Sequence, residues 1–193
     1  MDTGIFLTHL RSYVDVPESE FKAFLTLLVP LQLKKEEHFY RAGEVPRYSP
    51  FILKGCLRQY VVNESGDEHI ILFNEEKNWA GQIGSMRTKI PTNVYLQALE
   101  DCEILGITLE HIDLGMERFP WYQRYFLKKY PADHARLLEQ ANRLKTESPE
   151  ILYRELLQER PSLILRVPQY HIANYLGIRT ETLSRIKNKI AGR

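Results

Sequence analysis

The chain of 193 residues is 44% hydrophobic and 26% charged, ordinary proportions for a folded globular protein with room for one large domain or two small ones. No apolar run approaches the ~20 residues of a membrane span, and Cys56 and Cys102 are too few and too far apart for a disulfide framework or a cysteine metal motif. The opening Met1-Asp2-Thr3-Gly4-Ile5 lacks the basic and apolar regions of a secretory leader, so a cytoplasmic protein without a membrane partner is expected.

The first 30 residues read as helical: Pro17 and Glu18 suit a first turn, and Phe21, Phe24, Leu25 and Leu28 form an apolar stripe. From Leu31 to about Ile107 short β-like runs recur at 38–40, 51–53, 57–62, 69–73, 94–99 and 103–107. Turn signals separate them, among them Ala42-Gly43-Glu44, Lys54-Gly55, Asn63-Glu64-Ser65-Gly66-Asp67 and Gly81-Gln82-Ile83-Gly84. Such a pattern predicts a compact β-barrel or roll. Beyond Leu109 the β signal stops. Phe119, Trp121, Tyr122, Tyr125, Phe126 and Tyr130 fall at helical spacing, Pro131 predicts a kink or break, and Leu137, Leu138, Ala141 and Leu144 continue the stripe. The leucine spacing suits either a dimer seam, the preferred reading, or a helix lying on its own roll. Ser148-Pro149-Glu150 predicts the start of another helix, ending before Pro161.

Charge is divided along the chain. Residues 1–117 carry 11 Lys+Arg against 18 Asp+Glu, a net of −7, while 118–193 carry 15 against 7, a net of +8. One end is therefore suited to a polyanion and the other is not, although a solvated basic face would look the same.

Residues 168–187 carry the sharpest signal. Small Ala173, Gly177 at the turn, and a core of Ile172, Leu176, Ile178, Leu183 and Ile186 fit two short helices crossing steeply, a helix-turn-helix. Thr180 to about Ile190 is then the recognition helix, with Glu181, Ser184 and Arg185 on its exposed face. Arg185 can grip guanine bidentately and Glu181 can accept from cytosine, whereas Arg179, Lys187 and Lys189 suit phosphate contacts. A plain Glu181–Arg185 surface pair, or a protein-binding use of the motif, is the competing interpretation.

Taken together the chain resembles the Crp–Fnr family of bacterial regulators over nearly its whole length. Leu53-Lys54-Gly55-Cys56-Leu57-Arg58 resembles the family's strand–Gly–strand segment, Gly81-Gln82-Ile83-Gly84 its phosphate-binding cassette, and residues 177–186 its recognition region. The resemblance implies an α+β protein. A β-roll (double-stranded β-helix) with flanking helices would occupy 1–115, a dimerisation helix 116–146 and a helix-turn-helix domain 147–193. It would act as a homodimer on double-stranded DNA. By the same resemblance Gly81, Gln82, Ile83, Gly84, Thr92 and Asn93 are the candidate effector-binding residues. Members that bind cyclic AMP carry a Glu after the first Gly of the cassette and later an Arg–Ser pair on the cyclic phosphate. Here those positions hold Gln82 and Thr92-Asn93, so a small-molecule effector, if any, is not cyclic AMP in the usual mode.

Thr180 stands where some members have a base-reading Arg, and the end at Arg193 leaves no room for a β-wing, so DNA contacts are expected on the helix-turn-helix alone. No cysteine precedes Cys56, against the family's iron–sulfur branch, and scattered histidines such as His38, His69 and His111 argue weakly for haem. With no catalytic constellation in the sequence, neither an enzyme nor a metal or other cofactor is expected. A ligand-sensing roll that regulates a partner protein rather than DNA is the alternative function.

Overall fold

The computed structural model describes residues 2–192. Two short helices, α1 (Gly4–Arg11) and α2 (Glu18–Leu25), turn Phe6, Leu10, Phe21 and Phe24 inward. Seven strands follow: β1 (Val29–Leu33), β2 (His38–Tyr40), β3 (Ser49–Lys54), β4 (Leu57–Val62), β5 (Glu68–Asn74), β6 (Tyr95–Ala98) and β7 (Cys102–Ile107). They form a three-stranded sheet, order β1-β7-β3, and a four-stranded sheet, order β2-β6-β4-β5. The β-rich region is thus a roll of two open sheets and not a closed barrel. β1 is absent from the sequence reading because Pro30 interrupts its pattern. A proline is tolerated there since β1 is an edge strand, paired only to β7 from Val29↔Gly106 to Leu33↔Cys102.

The core of this region is aromatic. Phe6 and Phe51 meet with ring centroids 4.6 Å apart, Phe24 packs on Trp121 and Tyr122, and all five are almost fully buried. Between β5 and β6, the short helix α3 (Ile83–Thr88) takes the place of the turn expected at Gly81–Gly84. After β7, helix α4 (Leu109–Arg118) is capped by the Thr108 hydroxyl, which accepts from the His111 amide.

Helix α5 (Pro120–Thr146) runs for 27 residues straight through Pro131, so the expected break does not occur. Proline's fixed φ is itself helical, and what it removes is one backbone hydrogen bond. Contacts on either side offset that loss: the Lys129 ammonium pairs with Asp133 across the proline, and the Phe126 and Tyr130 rings stack at 11°.

Helix α6 (Pro149–Glu159) begins as expected, with the Ser148 hydroxyl accepting from the Ile151 amide. A further helix, α7 (Pro161–Arg166), follows at once, then α8 (Gln169–Tyr175) and α9 (Thr180–Ile190). Leu152, Tyr153, Leu156, Leu163, Val167, Ile172, Ala173, Leu176 and Leu183 are buried in this all-helical region. By contact density the chain divides into two compact units, one of residues up to Gln59 with Phe73–Asp133, the other of Tyr60–Leu72 with His134 onward. The outer part of the β4–β5 hairpin thus belongs with the C-terminal helices. No helix among the described residues is long and apolar enough to cross a membrane.

Candidate nucleic-acid interface

The motif at 169–190 is built around one turn. Helix α8 ends in a Schellman arrangement, in which the Gly177 amide donates to the Asn174 carbonyl (3.0 Å) and the Ile178 amide to the Ala173 carbonyl (3.0 Å). Gly177 holds φ +67°, a conformation that would strain any residue with a side chain. Leu183 on α9 is 1% exposed and meets a floor of buried Ile172, Ala173 and Leu176, whereas Ile178 and Ile186 are only half-buried. This packing fixes which side of α9 faces outward.

At 100° per residue, Glu181, Ser184, Arg185 and Asn188 fall within an arc of about 100°, and all four are exposed. Thr180 and half-buried Lys187 lie on one shoulder of that arc and Lys189 on the other. Arg179, exposed, precedes the helix as its N-cap without a side-chain cap, beside the positive end of the helix dipole, and its carbonyl accepts from the Thr182 and Leu183 amides. Among the described residues no ion pair joins Glu181 to Arg185, so neither side chain is spent on the other. Asn188 is the residue the sequence reading passed over; the i, i+3, i+4, i+7 spacing 181-184-185-188 was the available signal. Lys189 is less free than it looked, because its ammonium donates to Glu150 (2.6 Å), which also accepts from Arg154 (2.9 Å). The Lys189 hydrogen bond, then that of Arg154, holds the Glu150 carboxyl below its ordinary value.

A second exposed surface lies on α5. Leu127, Tyr130, Leu137 and Leu138 are 70%, 62%, 39% and 54% exposed, and with Ala141 they fall within about 100° of one another around the helix. Buried Trp121, Tyr122, Tyr125 and Lys129 occupy the opposite side.

The six candidate effector residues have different surroundings. Gly81 is packed so closely beneath Ser49 that an added Cβ would lie 2.0 Å from its hydroxyl oxygen, which gives the glycine a packing reason independent of any ligand. Gln82 hydrogen-bonds the buried Tyr40 hydroxyl, which itself donates to the Ala80 carbonyl. Ile83 lines a cavity of about 70 Å³ with Trp79, Tyr122, Tyr125 and Lys129, while Gly84 is exposed on α3. Thr92 is buried in a turn, its amide donating to Glu44 and its carbonyl accepting from Gly43, and Asn93 is exposed. Arg87, the nearest guanidinium in sequence, pairs with Asp113 on α4 at 2.8 Å. Among the described residues no group of three His, Cys, Asp or Glu could hold a metal ion. His111 is occupied, its Nδ1 bonded to the Leu27 carbonyl.

Residues 30–118 match the cyclic nucleotide-binding domain family. The chain is 23% identical over 185 residues to the HTH-type transcriptional regulator ArcR of Staphylococcus haemolyticus, spanning 94% of this chain and 74% of that protein. It is 25% identical over 174 residues to the transcriptional activator protein Anr of Pseudomonas aeruginosa, spanning 80% and 67%. Its fold matches that of the c-di-GMP-responsive global regulator CLP of Xanthomonas campestris, with a TM-score of 0.72 at 15% identity over 91% of this chain and 92% of the other.

Proposed function

We propose that this chain is a transcriptional regulator of the Crp–Fnr type, with a cyclic-nucleotide-binding-like domain and a helix-turn-helix, and that it binds a near-palindromic duplex as a homodimer. In this reading residues 1–115 are the sensor, 116–146 the dimerisation helix and 147–193 the DNA-binding domain. The observation that carries it is the exposed Glu181–Ser184–Arg185–Asn188 face of α9, presented on a turn that holds it away from the core. Arg185 grips a guanine through O6 and N7, Glu181 accepts from a cytosine amino group, and Asn188 suits an adenine. Arg179, Thr180 and Lys187 serve the phosphates at its margin, and Lys189 does so once released from Glu150. Two protomers pair along the Leu127–Ala141 stripe of α5, whose apolar exposure is what a second copy would cover. Helix-turn-helix dimers place their recognition helices about 34 Å apart, one turn of the duplex.

An effector, if one acts, is not held in the manner of cyclic AMP. Supporting this, Gln82 is engaged by Tyr40, Thr92 is tied into a turn and Arg87 is paired with Asp113. The break between α5 and α6 at 147–148 is then the place for a hinge that biases the orientation of the recognition helix.

The test is selection of binding sites from a random duplex library with the purified full chain at low and physiological salt. A two-fold symmetric site with half-sites one helical turn apart is expected, and Arg185→Ala should relax preference at one base pair per half-site and weaken binding by about 1–3 kcal/mol. No enrichment at either salt would favour a roll that regulates a protein partner.

A further inference from the structure

We propose that Asn174 pins the acidic turn of the β4–β5 hairpin to the helix-turn-helix, and that the pinned turn weakens the protein's hold on DNA phosphate. The inference rests on the DNA-binding reading above and assigns that site an internal opponent.

β5 is an edge strand, so the amides and carbonyls along its outer side lack a neighbouring strand. Groups on one side of a strand come from alternate residues, here Glu68 and Ile70. The Asn174 carboxamide meets both: its Nδ2 donates to the Glu68 carbonyl at 2.7 Å, and its Oδ1 accepts from the Ile70 amide at 2.7 Å. One side chain thus reproduces the paired donor and acceptor of a missing strand. The backbone of the same residue is part of the turn that orients α9, since its carbonyl accepts from Gly177. Hairpin tip and helix-turn-helix belong to the same compact unit.

What the pin carries is charge. The tip, residues 63–69, is exposed throughout and holds Glu64, Asp67 and Glu68 without a Lys or Arg. Its shape is fixed: the Asp67 amide donates to the Asn63 side-chain oxygen (2.8 Å), the Asn63 amide to the Asp67 carbonyl (3.0 Å), and the Gly66 amide to the Asn63 carbonyl (3.0 Å). Three carboxylates are therefore held beside a segment, 161–193, whose net charge is +5. Phosphate attraction is the sequence-independent part of DNA affinity, and fixed acids within about 10 Å of the contact surface subtract from it directly. Loss of the two Asn174 bonds removes this tie between the tip and the helix-turn-helix.

The experiment is a double-mutant cycle on the full chain, using the selected duplex at low and physiological salt, with E64Q/D67N/E68Q, N174A and their combination. Neutralising the acids should tighten binding about fivefold at low salt and less than twofold at physiological salt, because the effect is screened. N174A should tighten binding on its own, and in its background the acid substitutions should add nothing. Amide exchange at Ile70 reports the pin without DNA and should rise in N174A. N174Q, with the same amide one methylene further out, serves should N174A fail to fold. Acid substitutions that act equally with and without Asn174, or not at all, would overturn the proposal while leaving DNA binding intact. A wild-type chain that binds no duplex would overturn the DNA-binding reading and this one with it.

Discussion

His9 was not singled out by its sequence context, yet its environment is strongly perturbed. It lies buried among Phe51, Tyr13 and Tyr125. The Tyr125 hydroxyl accepts from Trp79 Nε1 (2.9 Å) and shares a hydrogen bond with His9 Nε2 (2.8 Å). Burial first, and the nearby Lys129 charge second, lower its pKa from 6.5 to about 4. The unfolded chain therefore takes up a proton at His9 near pH 6.5, the folded chain only near pH 4, and stability is lost as pH falls through that interval. The urea midpoint should drop between pH 7 and pH 5 in the wild type and drop less in His9→Gln, the two differing by roughly 1–3 kcal/mol in pH dependence. Parallel pH profiles would show that His9 plays no part in acid sensitivity. Gly177, by contrast, was legible from the sequence because its role in the turn depends on neighbours within a few positions.

Among the elements, α5 shows how a local rule is overruled. Pro131 alone predicts a break; the Lys129–Asp133 pair and the Phe126–Tyr130 stack carry the helix across it. The same helix separates two sides that the leucine spacing could not tell apart. Its aromatic side is buried, and the Leu127–Ala141 stripe is exposed, the side on which the proposed dimer would pair. If the proposed dimer forms along this stripe, Leu138→Glu should leave a folded monomer in analytical ultracentrifugation with little change in melting temperature, because Leu138 is 54% exposed. A variant that remains dimeric would place the seam elsewhere. α3 and α7, six residues each, were missed because so short a helix takes its stability from packing rather than from its own periodicity.

For the molecule as a whole, the question is whether residues 30–118, which match the cyclic nucleotide-binding domain family, serve a nucleotide. A cyclic phosphate removed from water needs a fixed cationic partner, and in the proposed reading Thr92, buried in a backbone turn, and exposed Asn93 supply none. Calorimetry with cyclic AMP should give no saturable heat below the millimolar range, and DNA affinity should be unchanged by it. Micromolar binding would mean that the cassette recruits a cation from outside the family's positions.

The sequence by itself determined the helix-turn-helix, the boundaries of α9, the capped start of α6 and the roll's succession of short strands. Each of these rests on interactions between residues a few positions apart, and such interactions leave a periodic or motif-like trace. Only the tertiary structure decided that α5 continues through Pro131, that Gly81 is demanded by Ser49, that Lys189 is drawn to Glu150 and that Asn174 closes the edge of β5. These depend on groups brought together from 32 to 106 positions apart, or on packing that offsets a local cost, and a single sequence carries no record of such meetings.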